Sequence, residues 1–219
     1  TKDGIDDILN DRPTNPEKWI QNQDELIEPL MLCYRSLVQN GMSQIANGAL
    51  LDTIRRAHCF GMHLIKLDIR QDSERHANAI AEVCQYLGYG DYAQWTEDEK
   101  VSFLLKELQS KRPLFPNTWQ TDWQPSAEVK EVLDTCHTIA NNDANAFGIY
   151  IISMASYASD VLAVQLLLQQ CRVNWQMPVA PLFETLDDLN RSASVIEQLL
   201  KIDGYRNRLT SNQYIMIGY

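Results

Sequence analysis

Hydrophobic positions along the chain follow two different periods, and the changes between them predict its organisation. From residue 25 onward, apolar residues recur every three or four positions over most segments, as in helices that bury one face. Four short segments instead alternate, or are apolar throughout, over the length of a strand. The predicted helices cover residues 25–40, 43–58, 73–87, 97–108, 128–140, 159–171 and 186–200, and the predicted strands cover residues 62–71, 147–154, 175–184 and 213–219.

Local signals mark several boundaries of these elements. Asn47-Gly48 predicts a weak point inside the second helix, and residues 111–119 are typical of a loop. Thr185, followed three residues later by Asp188, is an acidic form of the capping box. This pair predicts that a helix begins directly after the third strand.

Alternation of strands and helices predicts an α/β fold that is rich in helix. It favours a partial (β/α)8 TIM-type barrel, with about four parallel strands and crossover helices, preceded by helices. Four strands alone would leave two open edges, so we expect a fragment of a larger catalytic domain whose missing half lies beyond Tyr219. The expected division is a helical lead-in region over residues 1–60 and the partial barrel over residues 61–219. Residues 1–22 are polar and interrupted by prolines, and the pattern assigns them no role.

Composition and charge exclude two classes of protein. Hydrophobic residues make up 45% of the 219 positions and charged residues 22%, as in ordinary globular proteins. No apolar stretch approaches the roughly 20 residues of a membrane span, and no signal peptide begins the sequence. The net charge is −10 and no Lys/Arg cluster occurs, which argues against nucleic acid as a partner. An anionic substrate would therefore have to be bound by a few locally placed arginines.

Cysteine usage favours a reducing compartment. The five cysteines are widely scattered, their number is odd, and no C-x-x-C motif occurs. We interpret them as reduced and mostly packed thiols of a cytoplasmic protein. The neighbouring pairs His58-Cys59 and Cys136-His137 do not have the spacing of a zinc site.

Residues 65–70 alternate between apolar and charged side chains. In a barrel, one set would pack outward on helices and the other would face the interior, with Arg70 nearest the end of the strand where such barrels carry their chemistry. Interior charges are costly unless they are paired or used. Two readings therefore stay open, a substrate-binding role for Arg70 and an internal ion network with a structural role only. The predicted outward residues are Ile65, Leu67 and Ile69, and the predicted inward residues are Lys66, Asp68 and Arg70.

Glu184 ends the apolar run 177–183 and immediately precedes the predicted helix start at Thr185. This position places its carboxylate at the corner between strand and helix. A carboxylate there suits Mg²⁺ or Mn²⁺, which prefer hard oxygen ligands. The alternative is a solvated glutamate that the helix N-terminus stabilises by about 0.5 kcal/mol. Asp187 and Asp188 are interpreted as residues of the helix cap rather than as ligands.

Several long blocks resemble one enzyme family. "ANGALLDTIRRAHCFG", "KLDIRQDSERH", "MPVAPLFETLDDLN" and "IMIGY" are similar to consecutive blocks of bacterial-type phosphoenolpyruvate carboxylase, and "SKRPL" and "ISMASYASDVLAV" occur in the same order. The resemblance covers most of the chain from about residue 25, whereas the family's chain is several times longer. It implies a cytoplasmic carboxy-lyase, a homotetramer when complete, that uses Mg²⁺ or Mn²⁺ to make oxaloacetate and phosphate from phosphoenolpyruvate and bicarbonate.

The resemblance also implies roles for two residues. Glu184 matches the glutamate that binds the metal ion in the family, and Arg70 matches an arginine of its anion-binding site. The second metal ligand is an Asp that would lie beyond Tyr219, and the catalytic His and a Gly-Arg-Gly-Gly loop are also expected outside this segment. The isolated segment is therefore expected to be inactive.

Two other interpretations remain open at this point. One is another metal-dependent, phosphoenolpyruvate-using TIM-barrel enzyme, similar to pyruvate kinase. The other is a non-catalytic helical scaffold module whose apolar strands only form a core.

Overall fold

The structure, a computed structural model, describes residues 10, 20, 22–115, 123–209 and 212–218. The chain divides into two compact units, Thr1–Ile65 and Lys66–Tyr219. Most of the predicted lead-in over residues 1–22, and residues 116–119 of the predicted loop, lie outside the described residues. In the part of the chain that is described, no helix combines the length and the apolar character that crossing a membrane requires.

The first unit is helical in its described part. Asn22 begins the first helix by accepting a hydrogen bond from the Glu25 N–H at 3.0 Å, which satisfies one of the free N–H groups of the first turn. The weak point predicted at Asn47-Gly48 is confirmed, because Gly48 leaves the helical conformation with φ −86° and ψ −133°. The elements are α1 (Gln23–Gln39), α2 (Ser43–Ile45), a π-helical turn (Ala46–Leu50) and α3 (Leu51–Phe60).

The second unit contains a parallel sheet with helices between its strands. Its four strands lie side by side in chain order, and all three neighbouring pairs are parallel. The predicted helix-rich α/β class with crossover helices is confirmed, while closure of the strands into a barrel stays a prediction. The elements are β1 (Leu67–Asp72), α4 (Ser73–Tyr86), α5 (Glu97–Gln109), α6 (Ala127–Ala140), β2 (Phe147–Ser153), α7 (Ala158–Gln170), β3 (Val179–Phe183), α8 (Leu186–Lys201), α9 (Asp203–Arg206) and β4 (Met216–Ile217), with 3₁₀ turns at Tyr92–Gln94 and Ala144–Ala146.

The two faces of this sheet have different surroundings. Tyr150 of β2 belongs to the main core, which the sheet forms with the helices. The next residue, Ile151, points to the opposite face, where it packs with Ala180 and Leu182 in a separate small apolar cluster. This alternation is the period of two expected of strands. We call the face of Ile151 the inner face, and it carries the candidate site.

Helix α7 lies at the centre of the main core. Ten of its 13 residues are buried, so it has no polar face, in contrast to an ordinary amphipathic surface helix. It contacts α4, α5, α6, α8 and β3. The apolar residues at seven of the eight positions 161–168, all but Gln165, therefore reflect burial on several sides of the helix.

The prediction for the start of β1 was wrong. The strand begins at Leu67 rather than at residue 62, because residues 61–65 form turns in which Leu64 adopts the left-handed conformation with φ 64°. Outward packing on helices was predicted for Ile65, Leu67 and Ile69. Ile65 and Leu67 are instead 70% and 57% exposed, and only Ile69 packs against the main core.

The later strands are also shorter than predicted. Strand β3 begins at Val179, after Pro178, which has no N–H to donate to a ladder. Trp175, predicted to lie in this strand, instead stacks on Phe147 with 6.1 Å between the ring centroids. Strand β4 contains only two residues, and the short helix α9 before it was not predicted.

The five cysteines are free thiols, as predicted. Cys33 and Cys59 are exposed, and Cys84, Cys136 and Cys171 are buried. Burial raises the pKa of Cys84 to about 12, with a smaller contribution from the charge of Glu107. This thiol therefore remains protonated and unreactive at neutral pH.

A buried histidine in α4 predicts a specific pH dependence of stability. His76 is fully buried, its Nε2 lies 2.8 Å from the Tyr150 hydroxyl, and burial lowers its pKa to about 3. The unfolded chain, with a histidine pKa near 6.5, then binds this proton more readily than the folded chain. Below about pH 6.5, His76 should therefore reduce the free energy of unfolding by about 1.4 kcal/mol for each pH unit, until the pH approaches 3.

Urea unfolding of the 219-residue chain between pH 6.5 and 4.5 measures this dependence. The His76→Gln variant should show a smaller loss of stability on acidification than the parent chain. His58→Gln, which makes the same substitution at an exposed position of α3, is the matched control. Equal pH dependence in His76→Gln and the parent chain would contradict the assignment.

Candidate active site

The strands of a parallel sheet end at one edge, and the residues that follow them here form the candidate site. We call this edge the rim and define it by Ser73, Met154, Glu184 and Gly218, which follow β1, β2, β3 and β4 directly. In α/β barrels, chemistry is located at this end of the strands. The rim is therefore the first place to look for functional groups.

Glu184 follows the last residue of β3 and is exposed. Ala180 and Leu182 belong to the inner-face cluster, and the strand alternation places Glu184 on the same face. Its Oε2 accepts a hydrogen bond from the Met154 N–H at 3.1 Å. This is its only hydrogen bond to residues that the structure describes, so Oε1 faces the rim without a donor.

Gly218 lies close to the backbone and the side chain of Glu184. A Cβ atom built on Gly218 would lie 3.0 Å from the Glu184 Cα atom and 3.3 Å from its Cγ atom. The Gly218 N–H also donates to the Phe183 carbonyl oxygen at 2.9 Å. Strand β4 therefore supports the base of the Glu184 side chain, and a larger residue at position 218 would require Glu184 to shift by a few tenths of an ångström.

Met154 links three strand ends through its backbone. Its φ of 54° lies in the left-handed region. Residues that carry a Cβ atom adopt this backbone conformation only at a cost in free energy. In this conformation its N–H donates to Glu184, and its carbonyl oxygen accepts a hydrogen bond of 2.9 Å from the Ser73 Oγ atom. One peptide segment after β2 thus holds residues that follow β1 and β3.

Asp188 is the centre of a second network at the same corner. Both directions of the predicted capping box are present, since the Asp188 N–H donates to Thr185 Oγ1 at 3.1 Å and the Thr185 N–H donates to Asp188 Oδ2 at 3.2 Å. The Thr185 hydroxyl also donates to Asp188 Oδ2, at 2.6 Å. The Ser156 hydroxyl donates to Asp188 Oδ1 at 2.5 Å, and Arg191 Nη2 donates to the same oxygen at 3.0 Å. These hydrogen bonds, that from Ser156 first and those from Thr185 next, lower the pKa of Asp188 to about 2.

Arg70 lies on the same face but does not contact Glu184. Within the ladder it is opposite Ile151, which is itself opposite Ala180, so Arg70 shares the inner face. Glu184 is two strands away and four residues further along, about 13 Å in the strand direction. The structure therefore brings both residues to one face and towards one end, with a gap between them.

The internal ion network considered as an alternative for β1 is not formed. Among the described residues, no salt bridge or hydrogen bond joins Arg70 to Lys66 or Asp68, and all three side chains are exposed. A guanidinium with no carboxylate partner in these ranges is suited to binding an anion, because its planar fork donates two parallel hydrogen bonds.

Comparison with known proteins shows the family of this chain. The family model described as phosphoenolpyruvate carboxylase matches residues 1–219. The chain belongs to the phosphoenolpyruvate carboxylase family. Among curated phosphoenolpyruvate carboxylases, it is 55% identical over 211 residues to that of Psychromonas ingrahamii, and 54% and 53% identical over 219 residues to those of Tolumonas auensis and Vibrio atlanticus. These matches cover 96% to 100% of the chain but only 24% of each relative, so the chain spans about a quarter of their length.

The donor atoms at the rim are compatible with the divalent cation that the phosphoenolpyruvate carboxylase family implies. Glu184 offers a carboxylate oxygen without a hydrogen bond from the described part of the chain, and carboxylate oxygen is the donor that Mg²⁺ and Mn²⁺ prefer. No group of three or more His, Cys, Asp or Glu side chains among those described is arranged to hold a metal ion. A single carboxylate such as that of Glu184 is compatible with ions that usually take one or two protein carboxylates together with water and substrate oxygens.

Several residues of this site were not predicted from the sequence. Ser73, Met154 and Ser156 were given no role, and Asp188 was interpreted only as a cap. The hydrogen-bonded partners are far apart in the chain: Ser73 and Met154 by 81 residues, Met154 and Glu184 by 30, and Ser156 and Asp188 by 32. Neither periodicity nor a short motif reports contacts at such separations.

Proposed function

We propose that the full-length protein containing this chain is a phosphoenolpyruvate carboxylase of the cytoplasm that acts as a homotetramer. Its reaction joins phosphoenolpyruvate and bicarbonate to give oxaloacetate and inorganic phosphate. The observation that carries the proposal is the shared placement of Arg70 and Glu184. Both lie on the inner face of one parallel sheet, towards the end where barrel enzymes carry their active sites.

Arg70 has the properties of a binding group for an anionic substrate. Phosphoenolpyruvate carries a phosphate and a carboxylate, and a guanidinium binds either group through paired hydrogen bonds. The overall charge of −10 repels anions, so a locally placed arginine is needed to attract them. We assign Arg70 to binding and orientation of phosphoenolpyruvate.

Glu184 is assigned as a ligand of Mg²⁺ or Mn²⁺, together with an Asp that the family supplies after the segment equivalent to Gly218. When bound, the cation supplies Lewis-acid stabilisation of the negative charge on the enolate oxygen. The Met154 N–H holds Oε2 of Glu184, which orients the carboxylate plane and directs Oε1 to the rim.

The proposed chemistry requires a site with little water. Transfer of the phosphoryl group to bicarbonate leaves the enolate of pyruvate and gives carboxyphosphate, which releases CO₂ and phosphate; the enolate carbon then attacks CO₂ to form oxaloacetate. Water would protonate the enolate and divert the reaction to pyruvate. The apolar inner-face residues Ile151, Ala180 and Leu182, directly below the rim, are suited to excluding it.

Dependence on bicarbonate tests the proposal. Oxaloacetate formed by the full-length protein from phosphoenolpyruvate and Mg²⁺ is measured through its reduction by malate dehydrogenase and NADH. We expect oxaloacetate only when bicarbonate is present, and none from the 219-residue chain alone, which has one metal ligand and four strands of the barrel.

Each alternative has its own result in this assay. An enzyme similar to pyruvate kinase would form pyruvate without bicarbonate once ADP is added to accept the phosphoryl group, and this pyruvate is detected with lactate dehydrogenase. A non-catalytic scaffold would consume no phosphoenolpyruvate under either condition. Either result would contradict the proposed function.

A further inference from the structure

We propose that Asp188 is a positioning residue for Glu184, which it aligns by joining the turn after β2 to the corner after β3. The inference rests on the proposed function, because it concerns the orientation of the assigned metal ligand. Asp188 itself faces away from solvent, with 3% of its surface exposed. It therefore acts through its neighbours rather than on substrate or metal.

The first connection runs from Asp188 to the residue after Glu184. Thr185 is bound to Asp188 through both its hydroxyl and its N–H, which donates to Oδ2 at 3.2 Å. The peptide between Glu184 and Thr185 is thereby held against the first turn of α8. The carboxylate of Asp188 thus sets the direction in which the Glu184 side chain leaves the backbone.

The second connection runs from Asp188 to the residue that hydrogen-bonds Glu184. Asp188 Oδ1 accepts from the Ser156 hydroxyl, and Ser156 is two residues after Met154, whose N–H holds Glu184 Oε2. The turn is also held at its other end by the hydrogen bond from Ser73 to the Met154 carbonyl. Asp160 also holds the turn by accepting hydrogen bonds from the Ser156 and Tyr157 N–H groups, both at 2.9 Å. Loss of the Ser156–Asp188 hydrogen bond therefore removes the restraint that ties this turn to the corner after β3.

The network is built to keep Asp188 ionised and fixed. Its carboxylate accepts hydrogen bonds from Ser156, Thr185 and Arg191, so its charge is compensated although it is buried. The Arg191 guanidinium in turn lies 5.6 Å from the ring centroid of Tyr157, in the same turn as Ser156. Among the described residues, the side chains that donate hydrogen bonds to Asp188 thus come from the turn after β2 and from the start of α8.

The experiment measures Mn²⁺ binding to the full-length protein by electron paramagnetic resonance of the free ion, without substrate. Asp188→Asn and Ser156→Ala should each raise the Kd for Mn²⁺ about tenfold, the lower end of the effect known for groups that orient metal ligands. Ser156→Thr keeps the hydroxyl and should restore the affinity. Asp187→Asn is the matched control, since it removes a neighbouring negative charge from the same helix turn at an exposed position and should leave the Kd unchanged.

The outcomes separate this inference from the proposed function. If Glu184→Gln weakens Mn²⁺ binding while Asp188→Asn and Ser156→Ala bind as tightly as the parent protein, the positioning role is wrong and the metal assignment stands. If Glu184→Gln has no effect on Mn²⁺ binding, the metal assignment fails and the inference fails with it. Should Asp188→Asn not fold, as judged by circular dichroism, Ser156→Ala decides the result, because it removes a single hydroxyl from a half-buried position.

Discussion

Replacing Glu184 by Gln in the full-length protein should lower kcat for oxaloacetate formation about a thousandfold. The amide keeps the size of the side chain, and its carbonyl oxygen can still accept the hydrogen bond that the Met154 N–H donates to Glu184. It loses the negative charge that a divalent cation requires, so stabilisation of the enolate in the transition state is lost. Steady-state kinetics with saturating Mg²⁺ and both substrates measure the effect.

The fold of this variant should be intact, since Glu184 is exposed and contributes no buried contact. Asp187→Asn, three positions further along the chain, removes the same charge at the surface and should retain the kcat of the parent protein. An unchanged kcat in Glu184→Gln would contradict the role of Glu184 as a metal ligand. It would favour the alternative of a scaffold module, in which the apolar strands only form a core.

Replacing Arg70 by Gln should lower kcat/KM for phosphoenolpyruvate by about a hundredfold or more, and most of the loss should be an increase in KM. Removal of a charged, bidentate donor costs roughly 3 kcal/mol or more when the partner is an anion in a closed site. Arg70→Lys should recover only part of the loss, because lysine supplies the charge without the planar fork. Initial rates over a range of phosphoenolpyruvate concentrations give both constants.

Lys66→Gln provides the matched control for Arg70. It removes one positive charge four residues earlier, about 13 Å away along the strand direction. An equal rise of KM in both variants would show a general effect of charge on substrate attraction and would contradict a specific role for Arg70. Raising the salt concentration should reduce a general effect but not a direct contact.

The sequence predicted those parts of the fold that depend on local patterns. Apolar periodicity located the parallel strands and crossover helices, and the Thr185–Asp188 pair located the start of α8 to the residue. The prediction from apolar periodicity was wrong where a neighbouring turn or a buried environment determined the backbone conformation instead. Alternation predicted a strand from residue 62, for example, but the left-handed turn at Leu64 delays the start of β1 to Leu67.

The sequence predicted individual residues of the candidate site but not the contacts between them. Arg70 and Glu184 were recognised from their places at strand ends and from the resemblance, and their assigned roles stay predictions. The hydrogen bond between Met154 and Glu184 could not be predicted from the sequence, because the partners of the Met154 backbone, Ser73 and Glu184, lie far from it in the chain. Contacts of this kind depend on the assembled sheet and leave no periodic signal.

The burial of α7 on several sides has a consequence for how this part of the chain can change during evolution. A helix with one solvent-exposed face can accept substitutions there independently of its neighbours. Helix α7 packs against α4, α5, α6, α8 and β3, so a change in the volume of one of its side chains creates a cavity or an overlap in another element. Its residues should therefore vary slowly among homologues, and where they vary they should do so together with residues of these neighbouring elements.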